Sequence, residues 1–484
     1  MSARRTPTPE QAEIVASYRT GQDLVIEAGA GTGKTTTLKM LATATPGRKG
    51  TYIAYNRAIA DDAKVDFPSN VLCSTAHGLA MRAVGRQYRH RLDRGRVPAR
   101  AAARILRINE PLAVGDKILS PTQQVYLVNE MVKKFCNSNA TEITGKQVPR
   151  KPGLDSDGDM RVLQAALVPL ARRAWEDLTR RDGRLRFEHR HYLKIWELSK
   201  PRLPVDYVLL DEAQDANPVI ASIVESQDHA QRIMVGDRNQ AIYGWNGAID
   251  AMANFKGKRL QLSQSFRFGE AVAEEANKWL TFLGADLRLT GFERINSAVE
   301  PIDYPDAILC RTNAQALTQA MAALRQNIRV ALVGGGARLS KLAEAATSLK
   351  AGIGCDHPEL FAFTSWGQVQ DYVEQDPDAE DLAGMVKLID EVGAEKVIEA
   401  VDQLTDERYA ALIISTAHKA KGREWNSVQI ASDFGEPKPN KDGSPSNVSD
   451  EEAMLSYVAV TRAKLTLDRG PLEYIDERLG LAVR

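Results

Sequence analysis

The sequence predicts an α/β chain built on two parallel sheets flanked by helices, with helical insertions. Three observations predict it. Short apolar, β-rich runs ending in Gly or Asp recur along the chain, each followed by a segment of helical period. These runs fall into two series. Each series is interrupted by a stretch from which the strand signal vanishes, residues 81–202 in the first and 341–408 in the second. Continuous rather than alternating hydrophobicity within the runs is what strands covered on both faces by helices require.

The first series opens with DLVIEA (23–28) and TYIAYN (51–56), then continues with VDYVLLDEA (205–213) and QRIMVGD (231–237). The second is read as beginning near KRLQLSQSF (258–266). It runs through AILCRTN (307–313) and IRVALVGGG (328–336) to ALIISTAH (411–418) and SVQIASD (427–433). The interruption at 81–202 is helical and Arg-rich, and that at 341–408 is mostly helical and acidic. PKPNKDGSPSNVSDEE (437–452) is a loop of turn formers. No repeat of fixed period is visible.

At 484 residues the chain has room for about three compact units at roughly 150 residues each. With 43% hydrophobic and 26% charged residues, wholesale disorder, collagen-like repeats and coiled-coil architecture are excluded. No apolar run approaches the ~18 residues of a membrane helix. The start, MSARRTPTPEQ, has no apolar stretch behind its arginines and does not read as a secretory signal. Cys73, Cys136, Cys310 and Cys355 lie far apart with no C-x-x-C pair. A disulfide framework, a zinc site and an iron–sulfur cluster lose support, and a reducing cytoplasm fits.

Lys+Arg and Asp+Glu are 63 each, a formal net charge of +0, but the charges are unevenly spread. Arg82, Arg86, Arg89, Arg91, Arg94, Arg96, Arg100, Arg104 and Arg107 are interrupted only by Asp93. A second cluster runs from Arg172 and Arg173 through Arg180, Arg181, Arg184, Arg186 and Arg190 to Lys194. An acidic stretch from Asp371 to Glu407 stands against them. Such asymmetry lets a neutral chain present a cationic track to phosphates. Solvated helix faces explain it equally well, so composition leaves the matter open.

AGAGTGKT (28–35) follows a predicted strand and precedes the helical TTTLKMLAT. This is the P-loop arrangement, with Ala28 where the strict pattern has Gly. Gly29, Gly31 and Gly33, with Ala30 and Thr32 between them, turn backbone N–H groups toward phosphate oxygens. Lys34 would reach the β- and γ-phosphates, and the Thr35 hydroxyl would ligate Mg²⁺. Asp211 and Glu212 close the apolar run YVLL. Ligands sit at the carboxyl ends of parallel strands, so these acids belong in the crevice of the P-loop. Asp211 would hold the Mg²⁺ shell and Glu212 would polarise the attacking water, making the reaction hydrolysis.

DEAQD (211–215) followed by GDRNQAIYGWNGA (236–248) resembles motifs II and III of the superfamily 1 DNA helicases, in the UvrD/Rep group with its F-box and phage relatives. Other blocks arrive in the family's order. TPEQAEIV (8–15) resembles the adenine-reading Q motif, and AYNRAIADDA (54–63) and STAHGLAM (74–81) resemble the DNA-contacting blocks. LSQSFRFG (262–269), STAHKAKGREW (415–425) and YVAVTRAK (457–464) resemble motifs IV, V and VI. The matches run from residue 8 to 464.

The resemblance implies two RecA-like modules with ATP at their interface. Domain 1A would comprise 1–80 and 203–262, with 81–202 as insertion 1B; domain 2A would comprise 263–340 and 409–484, with 341–408 as a reduced insertion 2B. Gln11 would read the adenine edge and Phe266 would stack on its face. Gln240 would sense the γ-phosphate, Arg267 and Arg462 would be arginine fingers, and Glu424 would hold the ribose. Trp245 would stack on a DNA base, with Tyr55, Asn56 and His77 along the strand path in one module and His418 in the other. Trp245 as a core aromatic, and His77 and His418 as structural hydrogen-bonders, stay open as alternatives. His189 and His191, with no metal partner in sight, read as structural. Thr36 replaces the family's Arg beside the adenine, and Asn246 replaces the Arg after the motif III aromatic.

The expected function is therefore an ATP- and Mg²⁺-dependent DNA helicase moving 3′→5′ on single strands. It would be a cytoplasmic protein of a bacterial or phage-infected cell, acting as a monomer when translocating. Its partners would be single-stranded DNA, single-strand/duplex junctions and replication or recombination proteins, with no membrane. A translocase that strips proteins without efficient unwinding is the alternative, and a non-motor ATP- and DNA-binding scaffold a third. About twenty residues follow motif VI, too few for a fused nuclease.

Overall fold

A computed structural model describes residues 6–481 except 96, 152, 245–249, 356, 358, 361–362, 376–379, 438 and 440–445. The chain divides into two compact units. One comprises residues 1–28 and 33–262; the other comprises 263–484 together with the four P-loop residues 29–32.

In chain order the first unit carries β1 (Leu24–Ala28), β2 (Gly50–Ala54), β3 (Val71–Thr75), β4 (Leu112–Val114), β5 (Lys117–Leu119), β6 (Tyr207–Leu210), β7 (Gln231–Gly236) and β8 (Lys258–Leu262). Six of them form one sheet in the order β3-β2-β6-β7-β1-β8, every pair parallel. The central strands are buried along their length, as β2 and β6 show. Ile14, Leu38 and Leu41 from the helices Pro9–Arg19 and Lys34–Ala44 share a core with Ile26, Leu209 and Val235 of the sheet. Helix Pro9–Arg19 starts in register because Thr8 and Gln11 cap each other reciprocally.

Residues 258–262 do not begin the second series; β8 pairs with β1 from Leu24↔Lys258 to Ala28↔Leu262 and closes the first sheet. The Arg-rich stretch is not purely helical either. β4 and β5 form an antiparallel hairpin around Gly115 (φ +57°) and Asp116, whose three-residue strands are too short to give a periodic signal. The stretch also carries helices, among them Pro121–Cys136, Asp157–Thr179 and His189–Leu198.

The second unit carries β9 (Ala298–Val299), β10 (Ala307–Cys310), β11 (Val330–Leu332), β12 (Leu412–Thr416), β13 (Trp425–Ile430) and β14 (Ala463–Asp468). They form a second all-parallel sheet in the order β11-β12-β10-β13-β14-β9. The acidic stretch forms helices Trp366–Gln375, Glu380–Val392 and Ala394–Asp402 after helix Ala337–Lys350. Leu349, Trp366, Ile389 and Val397 lie in one hydrophobic core with Ile308, Leu332 and Ile414 of the sheet. These helices pack on helices Asn313–Arg325 and Ala337–Lys350, and through them join the core of the second sheet rather than enclosing one of their own. No described helix is long and apolar enough to cross a membrane.

Candidate nucleotide and DNA site

β1 ends at Ala28 and the chain turns through the P-loop into helix Lys34–Ala44. Gly31 (φ +73°) and Gly33 (φ +78°) adopt left-handed backbone that side chains disfavour. Gly33 caps the helix without a side-chain bond. The first turn thus presents backbone donors where a phosphate would sit. Thr32 Oγ1 closes the loop onto the Gly29 carbonyl at 2.9 Å. Gln11 is buried behind it. Its amide oxygen accepts from the Thr8 N–H (3.1 Å) and its Nε2 donates to Thr37 Oγ1 (3.1 Å).

Asp211 follows β6, two strands away from β1 in the sheet. It is 5% exposed, and its Oδ2 accepts from the Tyr52 hydroxyl at 2.6 Å and from Thr35 Oγ1 at 3.4 Å. Burial, reinforced by the neighbouring Glu212 charge, pushes its carboxyl up to about 6. The same burial and the Asp211 charge raise the Tyr52 phenol, which keeps it a neutral donor. Lys34 Nζ stands 3.4 Å from Glu212 Oε1.

Among the described residues no cluster of three or more His, Cys, Asp or Glu could hold a metal ion. Mg²⁺ at a nucleotide site needs less, since it keeps waters and takes phosphate oxygens alongside one or two protein oxygens. The Thr35 hydroxyl and the Asp211 carboxylate fit that requirement.

Glu212 has φ +50° and ψ +48°, left-handed backbone costing on the order of 1–3 kcal/mol in a residue with a side chain. Gln214 meets its carboxylate, Nε2 donating to Glu212 Oε2 at 2.7 Å. The other end of the same amide accepts from the Asp237 N–H at 3.1 Å. Asp237 Oδ2 in turn accepts from Gln240 Nε2 at 2.7 Å. A continuous chain of side chains thus runs from Glu212 to Gln240. Gly236 leaves room for it, since a Cβ there would fall 2.1 Å from Gln214 Oε1.

Beyond the acids lies a cavity of about 360 Å³, lined by Tyr55, His77, Asn137, Asp211, Asn217 and Tyr243 among others. Tyr55 is 52% exposed. Asn56 caps helix Arg57–Asp66 through its Oδ1, which accepts from the Ile59 N–H at 3.0 Å. Burial and, more weakly, the charges of His189 and Arg190 hold His77 down at about 4, so it is neutral at pH 7. Trp245 and Asn246 lie outside the described residues.

In the second unit the Phe266 N–H donates to the Gly31 carbonyl at 2.8 Å, and the Ala30 N–H donates to the Tyr457 hydroxyl at 3.3 Å. The Phe266 ring meets Phe292 edge-on at 5.4 Å. Arg267 donates to Glu424 Oε2 at 2.7 Å and to the Thr461 carbonyl at 3.0 Å, and Lys464 stands 3.6 Å from Glu424. Arg462 is 1% exposed, donating to the carbonyls of Val458 (2.9 Å) and Arg423 (3.2 Å). Burial lowers His418, and Arg311 and Lys421 add to the effect. Thr36 is exposed on the P-loop helix.

A UvrD/REP helicase N-terminal domain model matches residues 187–259, and a UvrD-like helicase C-terminal domain model matches residues 365–468. The chain thus carries matches to both the N- and the C-terminal domain models of the UvrD-like helicases. Among its relatives, F-box DNA helicase protein 1 of Schizosaccharomyces pombe is 30% identical over 513 residues, covering 95% of this chain and 57% of the relative. F-box DNA helicase 1 of Gallus gallus is 28% identical over 507 residues, covering 95% and 48%. The ATP-dependent DNA helicase PcrA of Staphylococcus epidermidis matches 27% of the chain at 26% identity, over 22% of its own length. The chain spans about half the length of the two F-box helicases.

Tyr52, Gln214 and Asp237 were not assigned roles from sequence. Asp237 ends a buried strand as Asp211 does, and the same strand-end signal could have found it. Tyr52 is a buried phenol whose polar tip needs a partner. Gln214 stands inside the quoted DEAQD block, but only the structure reveals that it bridges two strand ends.

Proposed function

We propose that this UvrD-like chain is an ATP-dependent DNA helicase that moves 3′→5′ along a single strand. The observation that carries the reading is the convergence of Lys34, Thr35, Asp211 and Glu212 at the ends of β1 and β6. Lys34 binds and orients the phosphates. Thr35 and Asp211 would hold Mg²⁺, which when bound neutralises phosphate charge as it develops. Glu212 takes the proton of the attacking water, and Gln240, tied to Glu212 through Gln214 and Asp237, senses whether the γ-phosphate is present. Arg267 and Arg462 supply positive charge to the transition state from the second module. Their present bonds to Glu424 and to backbone carbonyls then exchange for phosphate oxygens. Glu424 serves the ribose, and Gln11 and Phe266 serve the base. Tyr55, Asn56, His77, Trp245, Asn246 and His418 follow the DNA strand.

Helices 366–402 sharing one core with the second sheet favour a second reading, a translocase that clears bound proteins without splitting duplex efficiently. Duplexes with a 3′ or a 5′ single-stranded tail separate the possibilities. ATP-dependent unwinding of the 3′-tailed substrate supports the helicase. Displacement of a protein roadblock from single-stranded DNA without unwinding supports the translocase. Unwinding from the 5′ tail alone contradicts the polarity.

A further inference from the structure

Arg267 is fixed at its root and held at its tip. The Phe266 N–H donates to the Gly31 carbonyl (2.8 Å) and the Arg267 N–H to Ser265 Oγ (3.2 Å). Gly31 belongs to the same compact unit, and a Cβ on it would fall 2.6 Å from Arg267 Cβ. The backbone of the finger therefore already lies against the P-loop, and the part left to move is its side chain. The guanidinium is engaged twice: Nε donates to Glu424 Oε2 at 2.7 Å and NH1 to the Thr461 carbonyl at 3.0 Å.

Glu424 is not free to follow that guanidinium. The Arg462 side chain donates to the Arg423 carbonyl (3.2 Å), and the Trp425 N–H donates to the Arg462 carbonyl (3.0 Å). The turn carrying Glu424 is thus pinned on both flanks, and Arg423 also pairs with Glu407. Burial raises the Glu424 carboxyl, but Arg267 first and Lys464 after it outweigh that and hold it below its usual range. At neutral pH the pair with Arg267 therefore joins two full charges. The Arg267 side chain is 16% exposed, so water screens little of the pair on that side, whereas Glu424 is 44% exposed and open to a ligand.

An ionised carboxylate only accepts hydrogen bonds, so what replaces the guanidinium on Glu424 has to be another donor, such as a sugar hydroxyl. A neutral hydroxyl is a weaker partner than a guanidinium, and the exchange is unfavourable at Glu424 by itself. It becomes favourable when the freed guanidinium meets phosphate oxygens, again through charge-assisted bonds. A nucleoside triphosphate carries both halves of that exchange, hydroxyls for Glu424 and a γ-phosphate for Arg267. A ligand missing either half leaves one of the two charges without an equal replacement.

We propose that Glu424 latches Arg267 and that the sugar hydroxyls of a nucleoside triphosphate open the latch, so that the finger reaches phosphate only when the phosphates arrive with their ribose. This deepens the helicase reading and rests on its placing of the ribose at Glu424. The test measures single-strand-stimulated hydrolysis of ATP and of 2′,3′-dideoxy-ATP by the wild-type chain and by Glu424→Ala, with KM and kcat resolved. A group that only binds the ribose changes KM, whereas one that governs the finger changes kcat at saturation. The wild-type chain should turn over saturating dideoxy-ATP about tenfold or more slowly than ATP, the size of one hydrogen bond to a charged group. Glu424→Ala should raise KM for ATP and bring the two kcat values together by speeding dideoxy-ATP. Should the alanine variant fail to fold, the isosteric Glu424→Gln should narrow the gap in the same direction. Equal wild-type kcat on the two nucleotides overturns the latch and leaves the helicase reading intact. So does a gap that the variant keeps, or closes only by losing ATP turnover. A wild-type chain with no DNA-stimulated hydrolysis overturns both.

Discussion

Tyr52 donates to the same Asp211 oxygen that Thr35 approaches, and so fixes how that carboxylate faces the P-loop. A hydrogen bond to a charged group contributes about 1.5–3 kcal/mol. Tyr52→Phe keeps the ring against Phe67 and removes only that donor. We expect half-maximal turnover to need roughly tenfold more Mg²⁺, with the melting temperature nearly unchanged. A magnesium titration of the rate checks this, and an unaltered requirement would mean that Thr35 alone orients Asp211. His77 and His191 make a prediction about pH. Burial first, then neighbouring positive charges, holds them at about 4 and about 3. His191 Nδ1 accepts from the Glu188 N–H at 2.9 Å, a bond that needs the neutral ring. A histidine with a depressed folded-state pKa protonates first in the unfolded chain, so stability is lost as pH falls from about 6.5 toward 4. The urea midpoint should drop between pH 7 and pH 5, and His191→Gln should flatten the drop. A midpoint equally steep in the variant would remove His191 as its cause.

The bond chain from Glu212 to Gln240 spans the ends of β6 and β7, and one missing Cβ permits it. Gly236→Ala would set an atom against Gln214 Oε1 and break the link to the Asp237 N–H. ATP affinity should survive while turnover falls about tenfold or more, within the range of a displaced general base. Nucleotide binding by fluorescence and steady-state rates separate these effects; if affinity collapses as far as turnover, the clash reaches the P-loop. The strands that build this site were readable from sequence because each is a buried run ending in Gly or Asp. β3, β9 and β14 carry no clear strand signal in the sequence. β3 is a short edge strand with Leu72 exposed, β9 has two residues, and β14 alternates buried and partly exposed positions beside a recognised motif. The local pattern of β8 does not show which sheet it joins, because its pairing with β1 is a long-range choice. The P-loop and DEAQD were legible as ordered chemistry. The left-handed Glu212 and the Gln214 bridge are properties of tertiary geometry.

At the scale of the whole molecule, each all-parallel sheet carries residues that a DNA-driven ATPase would use. The P-loop helix and acids sit in the first unit, and Arg267, Glu424 and Arg462 in the second. In the proposed mechanism hydrolysis is coupled to a DNA strand rather than running by itself. Its most direct test is the steady-state rate of ATP hydrolysis with and without single-stranded DNA, for the wild-type chain, Lys34→Ala and Glu212→Gln. The wild-type rate should rise at least tenfold with DNA. Lys34→Ala should be inactive, and Glu212→Gln should bind ATP while losing about 10²–10⁴-fold in turnover. A wild-type rate that is the same with and without DNA, or a Glu212→Gln chain that still turns over at the wild-type rate, would contradict the account.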